Sequence, residues 1–313
     1  MPFDFAAVKA PFRMQPGLRR LAESATQLTP NRIESRALRE KLAVLLGHAG
    51  QALVAAPGFD AAPALRALAL HAAAEQPEAF SSDGAGRFDA HHLGWSLLGD
   101  KPQGGGPPRI GECLKALPVD WRLPALLSLS FAEDFAVIDG ATGRIPWLAV
   151  CLPSHWAPED KVGRHFAEVH APVADNQLLI TASDHLARLV TGQDRWERFV
   201  WTITRRPGLD THPQRCESAP WPPHASADAL AAQAHFRTER QTFIPLPLYQ
   251  QAIFTIHVDV QPLAEAITEA AQARQLHDAL ASMSANVLAY RGLTDARERL
   301  LGWLQARARP QRE

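Results

Sequence analysis

The sequence predicts an α+β fold: an antiparallel five-stranded sheet with helices over one face, extended by helical segments at the N-terminal and C-terminal ends. Three observations point there. The first hundred residues carry apolar side chains at helical spacing, the middle holds a hairpin signature with glycine in its turn, and three strand-like runs follow two helical ones. With 46% hydrophobic and 21% charged residues the chain has the composition of a folded globular protein with room for a sizeable core.

In chain order, Thr29-Pro30 reads as an N-cap and first-turn proline before NRIESRALREKLAVLLGHAGQAL, and a second helix is expected from about Ala62 to Glu78. The stretch DKPQGGGPPR, Asp100 to Arg109, is the strongest breaker and is expected to be a loop that closes a helical front. DFAVIDGATGRIPWLAVCLP then gives two apolar runs around Asp139-Gly140-Ala141-Thr142-Gly143, a hairpin in which Asp139 serves turn geometry. PEDKVGRHFAEVH and NQLLITASDHLARLV are read as helices, the second closing at Gly192. RWERFVWTITR, AHFRTERQTFIPL and QAIFTIHVDV are read as strands. Between the first two lies the long proline-rich loop PGLDTHPQRCESAPWPPHAS. PLAEAITEAAQARQLHDALASMS and TDARERLLGWLQARARP complete the chain as tail helices. The order strand, strand, helices, strand, strand, strand is that of a PAS-like domain, with a pocket between helices and sheet. The division expected is 1–125 helical, 126–265 PAS-like core and 266–313 helical tail.

Formal charge is −1, so no global field draws the chain to nucleic acid or to an anionic membrane. No run approaches the ~20 apolar residues of a membrane helix, and the start lacks the apolar region of a secretory signal. Cys113, Cys151 and Cys216 are widely spaced and odd in number, which suits reduced thiols and a cytoplasmic location. Gly104-Gly105-Gly106 lacks the lysine and strand-to-helix context of a phosphate loop, and His91-His92 lacks further metal ligands nearby.

The richest segment is WLAVCLPSHWAPEDKVGRHFAEVHAPVADN, where a buried strand ends in a Pro-Ser loop and hands over to a helix. Lys161, His165 and His170 lie on related faces of that helix, and His170 stands at its end before Pro172. Neutral imidazole there suits haem iron; a helix-capping role is the alternative. On the RTERQ strand, alternation sends Arg237, Glu239 and Gln241 to one face and Thr238 and Arg240 to the other. The first group is either a ligand-lined surface or a solvent-facing charge pair.

This segment resembles the signature of the haem-dependent oxidative N-demethylase family, through Pro153, Ser154, Trp156, Pro158, Lys161, Gly163, His170, Pro172 and Val173. APFRMQPGLRRL, SLSFAEDFAVID and FRTERQTFIPLP resemble three further motifs of that family, so the likeness runs from about residue 10 to 265. Ala174 and Ala132 depart from it, standing where proline and glutamine are usual.

The resemblance implies haem b in a PAS-like domain, with dioxygen oxidising the N-methyl group of a small secondary amine to formaldehyde and a primary amine. Electrons would come from a separate NADPH-dependent flavin and iron-sulfur reductase. His170 is then the expected iron ligand, with His165 and His155 as fallbacks. Lys161, Arg164 and Arg240 are candidates for the haem propionates, Trp201 for the haem edge, and Glu239 with Arg237 for amine handling. A non-catalytic haem sensor and a haem-free relative of the same fold are the competing expectations.

Overall fold

The structure is a computed structural model that describes residues 3–217 and 219–309. Ser218 of the proline-rich loop and Pro310 at the end of the last expected helix lie outside the described residues. Eleven strands occur among the described residues: β1 (Arg19–Arg20), β2 (Leu53–Ala55), β3 (Phe80–Ser82), β4 (Arg87–Ala90), β5 (Trp95–Leu98), β6 (Lys101–Gly104), β7 (Asp134–Asp139), β8 (Arg144–Ala149), β9 (Trp196–Thr204), β10 (His235–Leu246) and β11 (Gln251–Pro262).

The expected five strands, β7 to β11, lie side by side in the order β9-β10-β11-β7-β8, all antiparallel. Two short strands extend this sheet to seven, β1 beside β9 and β2 beside β8. The β7–β8 hairpin forms as the sequence predicts. Asp139 Oδ1 accepts the Ala141 and Thr142 amides at 2.9 and 3.0 Å, and Gly143 takes the left-handed φ of 65° that the turn requires.

The helical front is only half right. Helices Arg36–Gly47 and Ala62–Glu75 form, but the first is capped by Ser35, whose hydroxyl accepts the Leu38 amide, rather than by Thr29. Residues 80–104 are a separate four-stranded meander, β3-β4-β5-β6, and Lys101–Gly104 of the expected loop is its last strand. Here Phe88, Ala90, Trp95 and Leu97 alternate with partly or fully exposed neighbours, a period of two that the Ala/Leu-rich sequence before it masks.

Register fixes which side chains share a face. Arg237 stands opposite Thr202 and Val260, Glu239 opposite Val200 and Val258, and Gln241 opposite Arg198 and Ile256. Residues between Pro158 and Val190 cover this face at the β7–β8 end. There Val162 and Val169 pack on Ala136 and Leu148, and Ala187 and Val190 on Ile138 and Phe243. Toward β9 the cover thins, so that Arg198, Val200, Thr202 and Gln241 remain half-buried in mid-sheet. The opposite face is covered too, by the N-terminal helices over Phe135, Val137 and Trp147 and by the tail helices over Trp201, Ile203 and Phe236. Helices therefore lie on both faces, because each sheet face carries its own apolar set that has to leave water. No helix among the described residues is long and apolar enough to cross a membrane.

Candidate functional site

The Pro153-Ser154 turn reaches the site because everything around it is tied down. The Leu152 amide, just upstream, donates to Asp134 Oδ2 at 2.7 Å. The Pro153 carbonyl accepts the amide and hydroxyl of Thr211 at 3.0 and 2.9 Å. The Thr211 hydroxyl in turn accepts the His155 amide at 3.0 Å, which fits the positive φ of 63° at His155. The long proline-rich loop is thus a clamp on this turn.

Under the turn lies a polar chain. Arg237, 1% exposed, donates through Nε to Ser154 Oγ at 2.8 Å and through its terminal nitrogens to the carbonyls of Gly208 and Leu209 at 3.0 and 2.7 Å. The Ser154 hydroxyl donates onward to Glu239 Oε1, and Gln241 Nε2 holds Glu239 Oε2 at 2.6 Å. The expected face of Arg237, Glu239 and Gln241 is real, and both carboxylate oxygens of Glu239 are oriented. Burial lowers the Arg237 pKa, but a guanidinium with this many acceptors stays cationic. Ser154, which the sequence offers only as part of the Pro-Ser motif, is the residue that joins the arginine to the carboxylate.

The expected single helix PEDKVGRHFAEVH is broken. Pro158–Asp160 is one 3₁₀ turn, Gly163 adopts φ 73°, and a short helix, Phe166–His170, begins only after the chain has bridged to Arg144 of β8. His165 is its N-cap. Its Nδ1 accepts the Ala167 amide at 3.2 Å, Nε2 lies 3.0 Å from Asp184, and a Cβ on Gly143 would run into the ring. With both nitrogens engaged, His165 is spent on structure and drops out as a metal ligand. Lys161 does not share a helix with His170 either; its Nζ donates to the Val169 carbonyl at 3.2 Å. Arg164 is exposed and bonded to the Asp160 carbonyl at 2.5 Å.

His170 is different. Its Nδ1 lies 2.8 Å from the Phe166 carbonyl oxygen, which can only accept, so the proton sits on Nδ1 and Nε2 keeps a lone pair. Burial lowers its pKa to about 4; the carbonyl bond opposes this, and the charges of Arg198 and Lys161 add to it. The ring is therefore a neutral imidazole with a fixed tautomer, supported from behind as metal-binding histidines are. His155 also has its pKa lowered to about 4, first by partial burial of the ring against the protein and then by Arg237 and Arg206. It is nonetheless exposed to solvent, which places it at an open rim of the site rather than in its interior.

Two other expected residues are on the wrong face. Trp201 packs against Phe12 and Phe236 in the core formed with the tail helices. Arg240 donates to Glu197 at 3.0 Å and to the Thr26 carbonyl at 2.8 Å. Both stand one strand position out of phase with Glu239, so pleating alone removes them from the site. His92 is occupied by the carbonyls of Ala79 and Ser130.

Whether a haem suits these residues is tested by what they leave open. His170 Nε2 is an available neutral nitrogen donor, and three donor atoms on the site face of β9, Trp196 Nε1, Arg198 Nε and Thr202 Oγ1, are buried with no hydrogen-bond partner among the described residues. The free imidazole nitrogen suits a metal, and the unpartnered donors suit acidic substituents such as those a haem carries. A cavity of about 20 Å³ lies between Phe166 and Arg198, and a larger one, about 300 Å³, lies elsewhere, between residues 29–37 and the end of β11. The larger space contains none of the groups just described.

Arg198 and Thr202 escaped sequence reading because alternation shows that they share a face but not which face of the neighbouring strand they join. Register supplies that. The family model of haem-dependent oxidative N-demethylase, alpha subunit-like proteins matches residues 67–301, well over half of the chain. The match takes in the Pro153-Ser154 turn, His170 and the β10 polar row together, and the chain belongs to the haem-dependent oxidative N-demethylase, alpha subunit-like family.

Proposed function

We propose that the chain holds haem b in a PAS-like cleft, with His170 as the iron ligand, and oxidises the N-methyl group of a small secondary amine. The observation that carries this is the His170 ring, neutral and with Nε2 free, on the side of the sheet that presents Glu239. The strand order β9-β10-β11-β7-β8 supports the PAS-like reading. When bound, haem supplies dioxygen activation: amine, dioxygen, two electrons and two protons give primary amine, formaldehyde and water.

The protein's part is binding and orientation. A secondary amine is a cation at neutral pH, and Glu239 offers it a carboxylate whose two oxygens are fixed by Ser154 and Gln241. Arg237 acts through Ser154, as a positioning residue rather than a contact. The two electrons call for an external donor, an NADPH-dependent flavin and iron-sulfur reductase, and the words "alpha subunit-like" in the family description support a partner subunit.

The test is an absorption spectrum of the full chain with haem, beside His170→Ala, followed by amine-dependent oxygen uptake and formaldehyde release with a reductase. A Soret band that shifts or disappears in the variant is expected. The same band in both proteins would remove His170 as the ligand, and a band without amine-dependent turnover would make the protein a non-catalytic haem binder.

A further inference from the structure

Arg237 of β10 is committed to Ser154 and two carbonyls, Lys161 to the Val169 carbonyl, and Arg206, beyond the end of β9, lies by His155 at the rim. Arg198 is not committed. It stands on β9 opposite Gln241 and one cross-strand step from Glu239, on the same face. Its Nε is buried without a partner, and among the described residues no carboxylate lies within 4.0 Å of it. Opposite charges so placed normally close into an ion pair. Here Ser154 and Gln241 hold the Glu239 carboxylate instead, and the guanidinium is left open.

The neighbourhood asks for acceptors. Trp196 Nε1, two residues along the same face, is also buried and unpartnered, and so is Thr202 Oγ1 further along. Arg198 lines the small cavity with Phe166, whose ring centroid is 4.2 Å from that of His170. A half-buried guanidinium without an anion is unfavourable, whereas the same group with a bidentate acid is among the stronger polar contacts in proteins.

We propose that Arg198, with Trp196 Nε1 beside it, is a carboxylate-binding site on the sheet face that carries Glu239. The carboxylate has two possible sources. One is a haem propionate, which rests on the function proposed above. The other is the acid group of an N-methyl amino acid, whose ammonium would meet Glu239.

The experiment compares the full-length protein with Arg198→Gln and Arg198→Lys. One arm titrates haem and haem dimethyl ester, read by the Soret band and tryptophan quenching. The other measures calorimetric binding of N-methylglycine and dimethylamine. Arg198→Gln weakening haem at least tenfold while leaving the ester unchanged supports the propionate source. Arg198→Gln weakening N-methylglycine at least tenfold while sparing haem and dimethylamine supports the amino-acid source, and Arg198→Lys should recover part of either loss.

Equal binding of every ligand by wild type and Arg198→Gln overturns the proposal. So does a large fall in the thermal midpoint of the ligand-free variant, because it would show the guanidinium to be structural. A His170-dependent Soret band with the dimethyl ester keeps the haem reading standing even if the Arg198 assignment fails.

Discussion

Lys41 Nζ lies 3.0 Å from Asp134 Oδ1, with both side chains closed to solvent. Lys41 also donates to the carbonyls of Phe131 and Glu133 at 3.1 and 2.5 Å, and the other oxygen of Asp134 holds the Leu152 amide just before the Pro153-Ser154 turn. The first long helix is thereby coupled to the site. Lys41→Met leaves a buried carboxylate unpaired and should cost about 3–5 kcal/mol in urea unfolding. Lys41→Met with Asp134→Asn should cost less than the single change, since the stranded charge is gone; additive losses would show that the pair is not coupled.

Ser154→Ala should lower stability by about 1–3 kcal/mol, because Arg237 Nε is left without its acceptor in the interior. Haem uptake should be unaffected while amine turnover drops, Glu239 having lost one of its two restraints. Parallel titrations and turnover assays separate the effects, and a loss of haem would contradict the division of roles.

Glu239→Gln keeps the shape of the side chain and removes its charge. Haem affinity should stay within about twofold and amine affinity should fall by at least tenfold, roughly the 1.4 kcal/mol of a modest charge-assisted contact. A rise in KM alone would mark Glu239 as a binding group; a fall in kcat alone would assign it to proton handling.

Arg240→Met should leave the Soret band untouched and cost about 1–3 kcal/mol of stability, since its partners are Glu197 and the Thr26 carbonyl on the opposite face of the sheet. A change in haem affinity would mean that the two faces communicate.

Glu133 supplies a pH dependence. Burial raises its pKa, but the His257 bond at 2.8 Å and the Thr29 amide at 2.9 Å outweigh this and hold it below the usual 4.5. A lowered carboxylate pKa gives stability that is present above about 4.5 and is lost as pH falls through the folded value. Wild type should therefore exceed Glu133→Gln in unfolding free energy at pH 7, with the gap closing in acid. A gap that widens in acid would reverse the sign.

How much the chain tells in advance depends on where the information lies. The β7–β8 hairpin, β9, β10 and β11 were legible because alternation and turn chemistry are local, and the shared face of Arg237, Glu239 and Gln241 followed from the same alternation. The meander at 80–104 was not, since its strands are three or four residues long, three of them in the stretch read as helical and the last in the glycine-rich loop. The break at Gly163 was missed because helical periodicity is blind to a single left-handed residue. Arg198 and Thr202 needed register, which depends on long-range pairing, and Ser154 needed the path of its turn over the sheet. Arg240 and Trp201 lie across the pleat from Glu239, the side to which alternation alone already sends Arg240.

The short strands at the ends of the large sheet have a consequence for the protein in a crowded solution. A foreign strand arriving at one end meets two arginines, Arg19 and Arg20, and at the other only the three residues Leu53–Ala55. Past β1, where β9 continues alone, the Trp201 carbonyl is already taken by Arg291. Short end strands, one of them doubly charged, give an incoming chain little to pair with and so work against fibrous self-association.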